Sequence, residues 1–301
     1  MTAALPAAVS GERIEFASPA GRLSVYVAGE GAPLLLVHSI NAAASAAEMR
    51  PLHEHYRATR NVFSIDLPGY GFSDRSDRDY TPRLMTDAIH SVVEQIRARC
   101  GPAPIDALAI SLSCEFLARA ATEAPDRYRS VALVSPTGFR GLQPWRGAAG
   151  STRGQPWLYK ALRGPGAGWG GALFRALTRP GVVRYFLRRT WGSAEIDEAL
   201  WRYCVLTTRV PGAEYAPLHF LSAALFSADI HTVYEALEMT VWMSHGVRGD
   251  FTDYRGKAVV AGRPNWQFDV FQTGALPYFE VPAAFCAAYD LFSGSAGSRR
   301  R

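Results

Sequence analysis

Ser111 stands where a strand-like stretch, Ile105 to Ile110, gives way to a helical pattern that begins at Leu112. Ala109 and Ser113 flank it, and small side chains there are what a tight strand–turn–helix junction needs, because strand and helix approach closely. A serine held in such a turn offers its hydroxyl as a nucleophile. That chemistry requires a base to take the proton and an acid to orient the base. The chain has 7 histidines, and none follows His245. His38 closes the run Pro33-Leu-Leu-Leu-Val37, and His245 closes the run that begins at Thr240. His53, His55 and His90 fall in helical stretches away from strand ends and read as surface residues. His219, in Pro217-Leu-His-Phe-Leu221, is a candidate to dip into a pocket.

The elements that must position these residues alternate. Short strands are expected at 12–16 and 22–28, separated by a Pro/Gly turn, as an antiparallel opening. Pro33 to Val37 is apolar on both faces, which fits a strand in the middle of a sheet. A helical stretch over 46–56 leads to a second buried strand, 61–67. Thr81-Pro82 reads as an N-cap with proline at the first helical position, opening a helix through Arg99. Strand 105–110, helix 112–123 and strand 130–135 follow. Strands alternating with helices of these lengths imply βαβ units, hence a mostly parallel sheet flanked by helices. The rhythm stops at Pro136 and returns at Thr240, with a further strand at 267–271 and a last helix from Val281. The expected organisation is a core of 12–139 and 238–293, an inserted and mainly helical lid at 140–237, and loose termini at 1–11 and 294–301.

Three further segments agree with that frame. His38-Ser39-Ile40-Asn41 follows the first central strand, Asp66-Leu-Pro-Gly-Tyr-Gly-Phe-Ser-Asp74 follows the second, and Ser135-Pro-Thr-Gly-Phe139 ends a third. With Ala109-Ile-Ser-Leu-Ser113 in place of G-x-S-x-G, the chain resembles the α/β-hydrolase superfamily over about 22–139 and 239–292. That resemblance implies an α/β-hydrolase fold with a lid and Ser111 as nucleophile. It also implies an oxyanion hole made by the backbone N–H groups of Leu112 and Ile40, beside Ser39. The acid of such a triad follows the strand after the lid. Asp250 is nearest to that position, one residue late, with Asp253 as the fallback. The base follows the last strand as G-H-x-P-x-x-E, where this chain reads Gly274-Ala275-Leu-Pro277-Tyr278-Phe-Glu280. Ala275 therefore occupies the histidine position, and Tyr278 occupies a second position where some relatives carry one. His245 is the expected substitute base. His38, Tyr278, Ala275 and His219 are the expected substrate contacts. Tyr278 is a poor base at neutral pH, since a phenol ordinarily titrates near 10.

Composition limits the alternatives. A chain of 301 residues with 48% apolar residues can bury a sizeable core. The net charge of +5 comes almost entirely from scattered arginines, and no nucleic-acid motif accompanies it. The 4 cysteines show no metal-ligand spacing, and no dinucleotide or phosphate-loop signature occurs, so neither metal nor cofactor is expected. No apolar run is long enough to span a membrane, and the reading is a cytoplasmic protein. The aromatic and arginine-rich lid suggests an apolar pocket with a basic outer face, although a solvated helix face explains it as well. The expected function is an enzyme acting on a small, largely apolar ester or carbonyl compound. Its triad lacks the usual histidine, so hydrolysis is slow, uses a displaced base or gives way to non-hydrolytic chemistry. The alternative is an inactive relative that binds or scaffolds. The partner is a small molecule, not nucleic acid, and the sequence leaves the oligomeric state open.

Overall fold

A strand buried on both faces must place apolar side chains on each side in turn, and the central strands do so. The computed structural model describes residues 5–164 and 168–298. Eight strands form one sheet: β1 (Glu12–Ser18), β2 (Gly21–Ala28), β3 (Pro33–Val37), β4 (Asn61–Asp66), β5 (Ile105–Ile110), β6 (Tyr128–Val134), β7 (Thr240–His245) and β8 (Trp266–Val270). Their order is β1-β2-β4-β3-β5-β6-β7-β8. β1 and β2 are antiparallel to their neighbours, and β4, β3, β5, β6, β7 and β8 run parallel. Leu35, Val37, Ala107, Ala109, Val131 and Leu133 face one core. Leu34, Leu36, Leu108, Ile110, Ala132 and Val134 face the other. This is the period of two that a strand imposes.

Helices cover both faces. α1 (Arg50–Tyr56) follows a 3₁₀ turn at Ala46–Met49, and α2 (Pro82–Cys100) and α3 (Ser113–Glu123) follow β4 and β5. α2 starts as expected, with the Thr81 hydroxyl accepting from the Leu84 N–H at 3.1 Å and Pro82 in the first turn. It buries Met85, Ile89, Val92 and Ile96 against the first core. Between β6 and β7 lie α4 (Pro156–Arg163), α5 (Gly168–Leu177), α6 (Pro180–Trp191), α7 (Glu198–Thr207), α8 (Tyr215–Leu221) and α9 (Ile230–Glu235). α8 ends at Leu221, and two residues on Ala223 takes a left-handed φ of 60°. α10 (Ala258–Ala261), α11 (Pro277–Glu280) and α12 (Pro282–Ser298) complete the chain.

Ala8 and Val9 are buried in the second core, and the Ala8 N–H donates to the Tyr26 hydroxyl at 3.1 Å. Residues 294–298 continue α12. Residues 1–4 and 299–301 lie outside the described residues.

The ends of β3, β4, β5, β6 and β7 converge on one edge of the sheet, the edge at which open α/β sheets bind ligands. Backbone geometry there is tightly determined. Gly71 has a φ of 48°, and a Cβ on it would lie 1.9 Å from the Asp66 carboxyl carbon, so only glycine closes the turn after β4. Asp66 in turn accepts the Ala46 N–H at 2.8 Å and the Phe72 N–H at 2.9 Å.

Candidate active site

Ser111 follows the last residue of β5 with a φ of 55°, a conformation that costs a residue with a Cβ on the order of 1 kcal/mol or more. The strain is held from both sides. Its N–H donates to the Val134 carbonyl at 2.9 Å, and its carbonyl accepts the Cys114 N–H at 3.2 Å. Ser113 stands in place of the second glycine and makes a bond that glycine could not. Its hydroxyl donates to the His38 carbonyl at 2.5 Å and ties the first turn of α3 to the loop after β3.

That loop completes a cavity of about 170 Å³. Ser111, Leu112, Ile40 and Ser39 line it together with Ala275. The N–H groups of Ile40 and Leu112 donate to no protein acceptor among the described residues. Both residues are buried, so these are unspent donors beside a serine hydroxyl, the arrangement that stabilises an oxyanion. The Ser39 N–H is not available, because it donates to the Glu48 carboxylate at 2.8 Å. Leu187, Leu200, Phe220 and Phe226, from the segment between β6 and β7, supply apolar walls with Phe251 and Leu276.

Glu48 is a residue that sequence reasoning misses, since a lone glutamate in a helical stretch carries no signal. It lines the cavity and is the one residue with an ordinarily titrating side chain among the described lining residues. Burial pushes its carboxyl above the usual carboxylate range, against the pull of the Ser39 N–H and of the Asn41 amide at 2.8 Å.

No imidazole stands among the described lining residues. His245, the expected substitute base, spends both ring nitrogens elsewhere: Nδ1 lies 2.9 Å from the Gly246 carbonyl and Nε2 3.2 Å from the Lys257 ammonium. Its ring stacks on Tyr254 at 4.0 Å. Asp250, the expected acid, is engaged by the Arg189 guanidinium, which reaches Oδ1 at 2.7 Å, and Asp250 lines a neighbouring groove instead. Asp253, the fallback, is held by Arg255. The three expected catalytic groups are therefore not brought together; only Ser111 faces the cavity.

The expected substrate contacts divide in the same way. Ala275 lines the cavity; its N–H donates to the Thr190 carbonyl at 2.9 Å and its carbonyl accepts from the Ser135 hydroxyl at 2.7 Å. His38 is wholly buried and bridges two loops, its Nε2 accepting from the Leu67 N–H at 3.0 Å and its Nδ1 donating to the Ser39 carbonyl at 2.6 Å. Burial pulls its pKa down to about 4, so it is neutral and structural. Tyr278 is buried among Phe279 and Phe285, not on the cavity wall. His219 stacks on Tyr159 at 4.0 Å, while its neighbour Phe220 reaches the cavity. His53 corrects the surface reading: it is buried, with Nδ1 2.8 Å from the Ser64 hydroxyl and Nε2 3.1 Å from the Ser10 carbonyl. Among the described residues no cluster of three metal-ligating side chains occurs, and no helix is long and apolar enough to cross a membrane.

Comparison with known proteins agrees with the architecture. The sequence profile of the alpha/beta hydrolase fold matches residues 32–161. Among solved structures, an esterase from Thermogutta terrifontis is similar with a TM-score of 0.71 and 17% identity, over 95% of this chain and 99% of that one. A meta-cleavage product hydrolase from Pseudomonas fluorescens IP01 gives a TM-score of 0.70 at 15% identity, over 94% and 98% of the two chains. A serine hydrolase involved in carbazole degradation gives 0.69 at 13%, over 93% and 98%. At these identities the likeness is one of fold. No curated protein matches the chain by sequence.

Proposed function

We propose that this α/β-hydrolase-fold chain is an enzyme that binds a small, largely apolar ester or carbonyl compound in the Ser111 cavity, under a lid formed by the segment between β6 and β7. The reaction proceeds without the usual imidazole base. One observation carries the reading: a serine held at a φ of 55° shares a cavity with two unspent backbone donors, from Ile40 and Leu112. Strain and buried unpaired N–H groups both cost stability, and a site built for an oxyanion accounts for them together.

Hydrolysis by this arrangement is slow. Removing the base from a serine triad costs on the order of a millionfold in turnover, while the oxyanion hole and binding alone retain roughly a thousandfold over water. Glu48 is the one ordinarily titrating side chain among the described lining residues, and both its oxygens already accept hydrogen bonds, from the Ser39 N–H and the Asn41 amide. Chemistry that needs oxyanion stabilisation more than a strong base, such as a lyase step, fits the same groups.

The test is labelling with a fluorophosphonate probe, together with p-nitrophenyl butyrate turnover, in the wild type and in Ser111→Ala. We expect slow labelling and slow turnover, both abolished by the substitution. Equal behaviour of the two proteins removes the serine from the mechanism. A second reading, a binding protein that keeps the pocket without catalysis, is favoured by the engagement of His245 and Asp250 elsewhere. It predicts no labelling at all.

A further inference from the structure

Beside the serine cavity lies a groove of about 630 Å³, and the two share Ser135, Thr137, Phe226 and Phe251 as walls. Five charged residues line the groove: Arg140, Arg153, Arg189, Asp250 and Asp253. Asp250 is taken by Arg189 and Asp253 by Arg255. Arg140 and Arg153 form no salt bridge among the described residues, although Arg153 feels the field of buried Glu115, so the groove keeps two guanidinium groups that no carboxylate holds directly.

Arg153 is held in a particular way. Its guanidinium carbon lies 4.7 Å from the Trp145 ring centre and 4.6 Å from that of Phe226. Its Nε is buried without a hydrogen-bond partner. The two aromatic neighbours are themselves fixed: the Arg153 N–H donates to the Phe226 carbonyl at 2.8 Å, and the His231 N–H donates to the Trp145 carbonyl at 3.1 Å. Buried Glu115, whose carboxyl the Arg153 charge influences, accepts from the Thr137 hydroxyl and the Ser227 N–H and forms no salt bridge with the guanidinium. A guanidinium packed on aromatic rings has lost much of its hydration while its N–H edge stays ready for a planar, two-oxygen acceptor.

We propose that Arg153, with Arg140 nearby, is a subsite for a carboxylate carried by the substrate at the end remote from the reacting carbonyl. Phe226 joins the two sites: one ring packs under the guanidinium and also walls the serine cavity. A substrate would lay an apolar stretch along Phe226 and Phe251, its carbonyl at Ser111 and its carboxylate at Arg153. The link to a reacting carbonyl rests on the function proposed above; the anion subsite itself does not. A carboxylate is favoured over a phosphate because Phe226 and Phe251 border the groove, and apolar rings poorly accommodate a strongly hydrated dianion.

The experiment titrates glutarate into the full chain, following tryptophan fluorescence, with inorganic phosphate and neutral glutaramide as parallel probes. Trp145→Phe assigns the signal. We expect saturable glutarate binding at millimolar concentrations, weakened about tenfold or more in Arg153→Gln and less in Arg153→Lys, which keeps the charge without the fork. Should Arg153→Gln fail to fold by circular dichroism, Arg140→Gln and Arg153→Lys still test the site. Absence of glutarate binding, equal binding in these variants, or tighter binding of phosphate or glutaramide overturns the subsite. The substrate assignment is tested separately by the kcat/KM ratio of mono-p-nitrophenyl glutarate to p-nitrophenyl valerate. We expect a ratio above one that falls about tenfold in Arg153→Gln; a ratio of one or less, or an unchanged one, overturns it. Glutarate binding with no Ser111 labelling leaves the anion subsite and removes the proposed reaction.

Discussion

The edge of the sheet divides into two halves that treat their polar groups in opposite ways. After β3 and β5, the Ile40 and Leu112 N–H groups find no acceptor among the described residues and Ser111 is held under strain. After β7 and β8, the corresponding groups are consumed. The N–H groups of Val247 and Arg248 both donate to the Thr273 carbonyl, Gly274 donates to Glu280 at 2.7 Å, and Ala275 is bonded at both its N–H and its carbonyl. Gly246 approaches so closely that a Cβ on it would lie 2.0 Å from the Gly274 carbonyl oxygen. An oxyanion hole is made of backbone, so it survives any substitution that keeps the turn. A catalytic base is one side chain and is lost with it. On the function proposed above, this contrast is why the donors could persist where the base is missing.

The strongest way to break the contrast is to rebuild the second half. The Ser135 hydroxyl reaches the Ala275 carbonyl at 2.7 Å. An acid at 135 would therefore be held beside a histidine at 275, and aspartate tolerates the φ of 48° found there better than most residues. The double variant Ser135→Asp/Ala275→His should raise p-nitrophenyl butyrate turnover by about a thousandfold. Ala275→His alone should give only tens of fold, since a triad stripped of its orienting acid keeps a small part of its rate. Adding Asp250→Asn to Ala275→His should change nothing further, because Arg189 already holds Asp250. A loss of rate there would return Asp250 to the site.

How much of this is legible in sequence follows the same line. The strands of the central sheet and α2 are readable because continuous apolar runs and a Thr-Pro cap have physical consequences that do not depend on partners. The elbow is readable because a tight turn demands small neighbours, although nothing in the sequence predicts that Ser113 bonds the His38 carbonyl. The fates of His245, Asp250 and His53 are not readable. Each depends on a partner distant in sequence, respectively Lys257, Arg189 and the Ser10 carbonyl. Glu48 escapes notice because a lone glutamate carries no pattern, and its placement depends on how the loop after β3 folds back onto it.

The first half should also have its own pH signature. His38 is neutral with a pKa of about 4, so between 6.5 and that value the unfolded chain binds the proton and the folded chain does not. Its contribution, about 3 kcal/mol, is present above pH 6.5 and is lost as pH falls toward 4. Glu48 has the opposite sign: its raised pKa makes folding less favourable as pH rises through that value. His38→Asn should flatten the fall in urea-unfolding free energy between pH 6.5 and 4. Glu48→Gln should steepen it, because the opposing group is gone. A His38→Asn profile parallel to that of the wild type would show that the imidazole is not the group that senses pH.

The smallest effect probes the strain itself. Ser111→Gly removes the Cβ from a left-handed position and should stabilise the fold by up to about 1 kcal/mol, whereas Ser111→Ala keeps the Cβ and should not. The difference between the two variants in chemical denaturation isolates the cost of holding a side chain at the elbow, because both lack the hydroxyl. If the glycine variant is no more stable than the alanine variant, the backbone relaxes around Ser111 and the turn is not strained. The case for a site maintained at a cost in stability would then rest on the Ile40 and Leu112 donors alone.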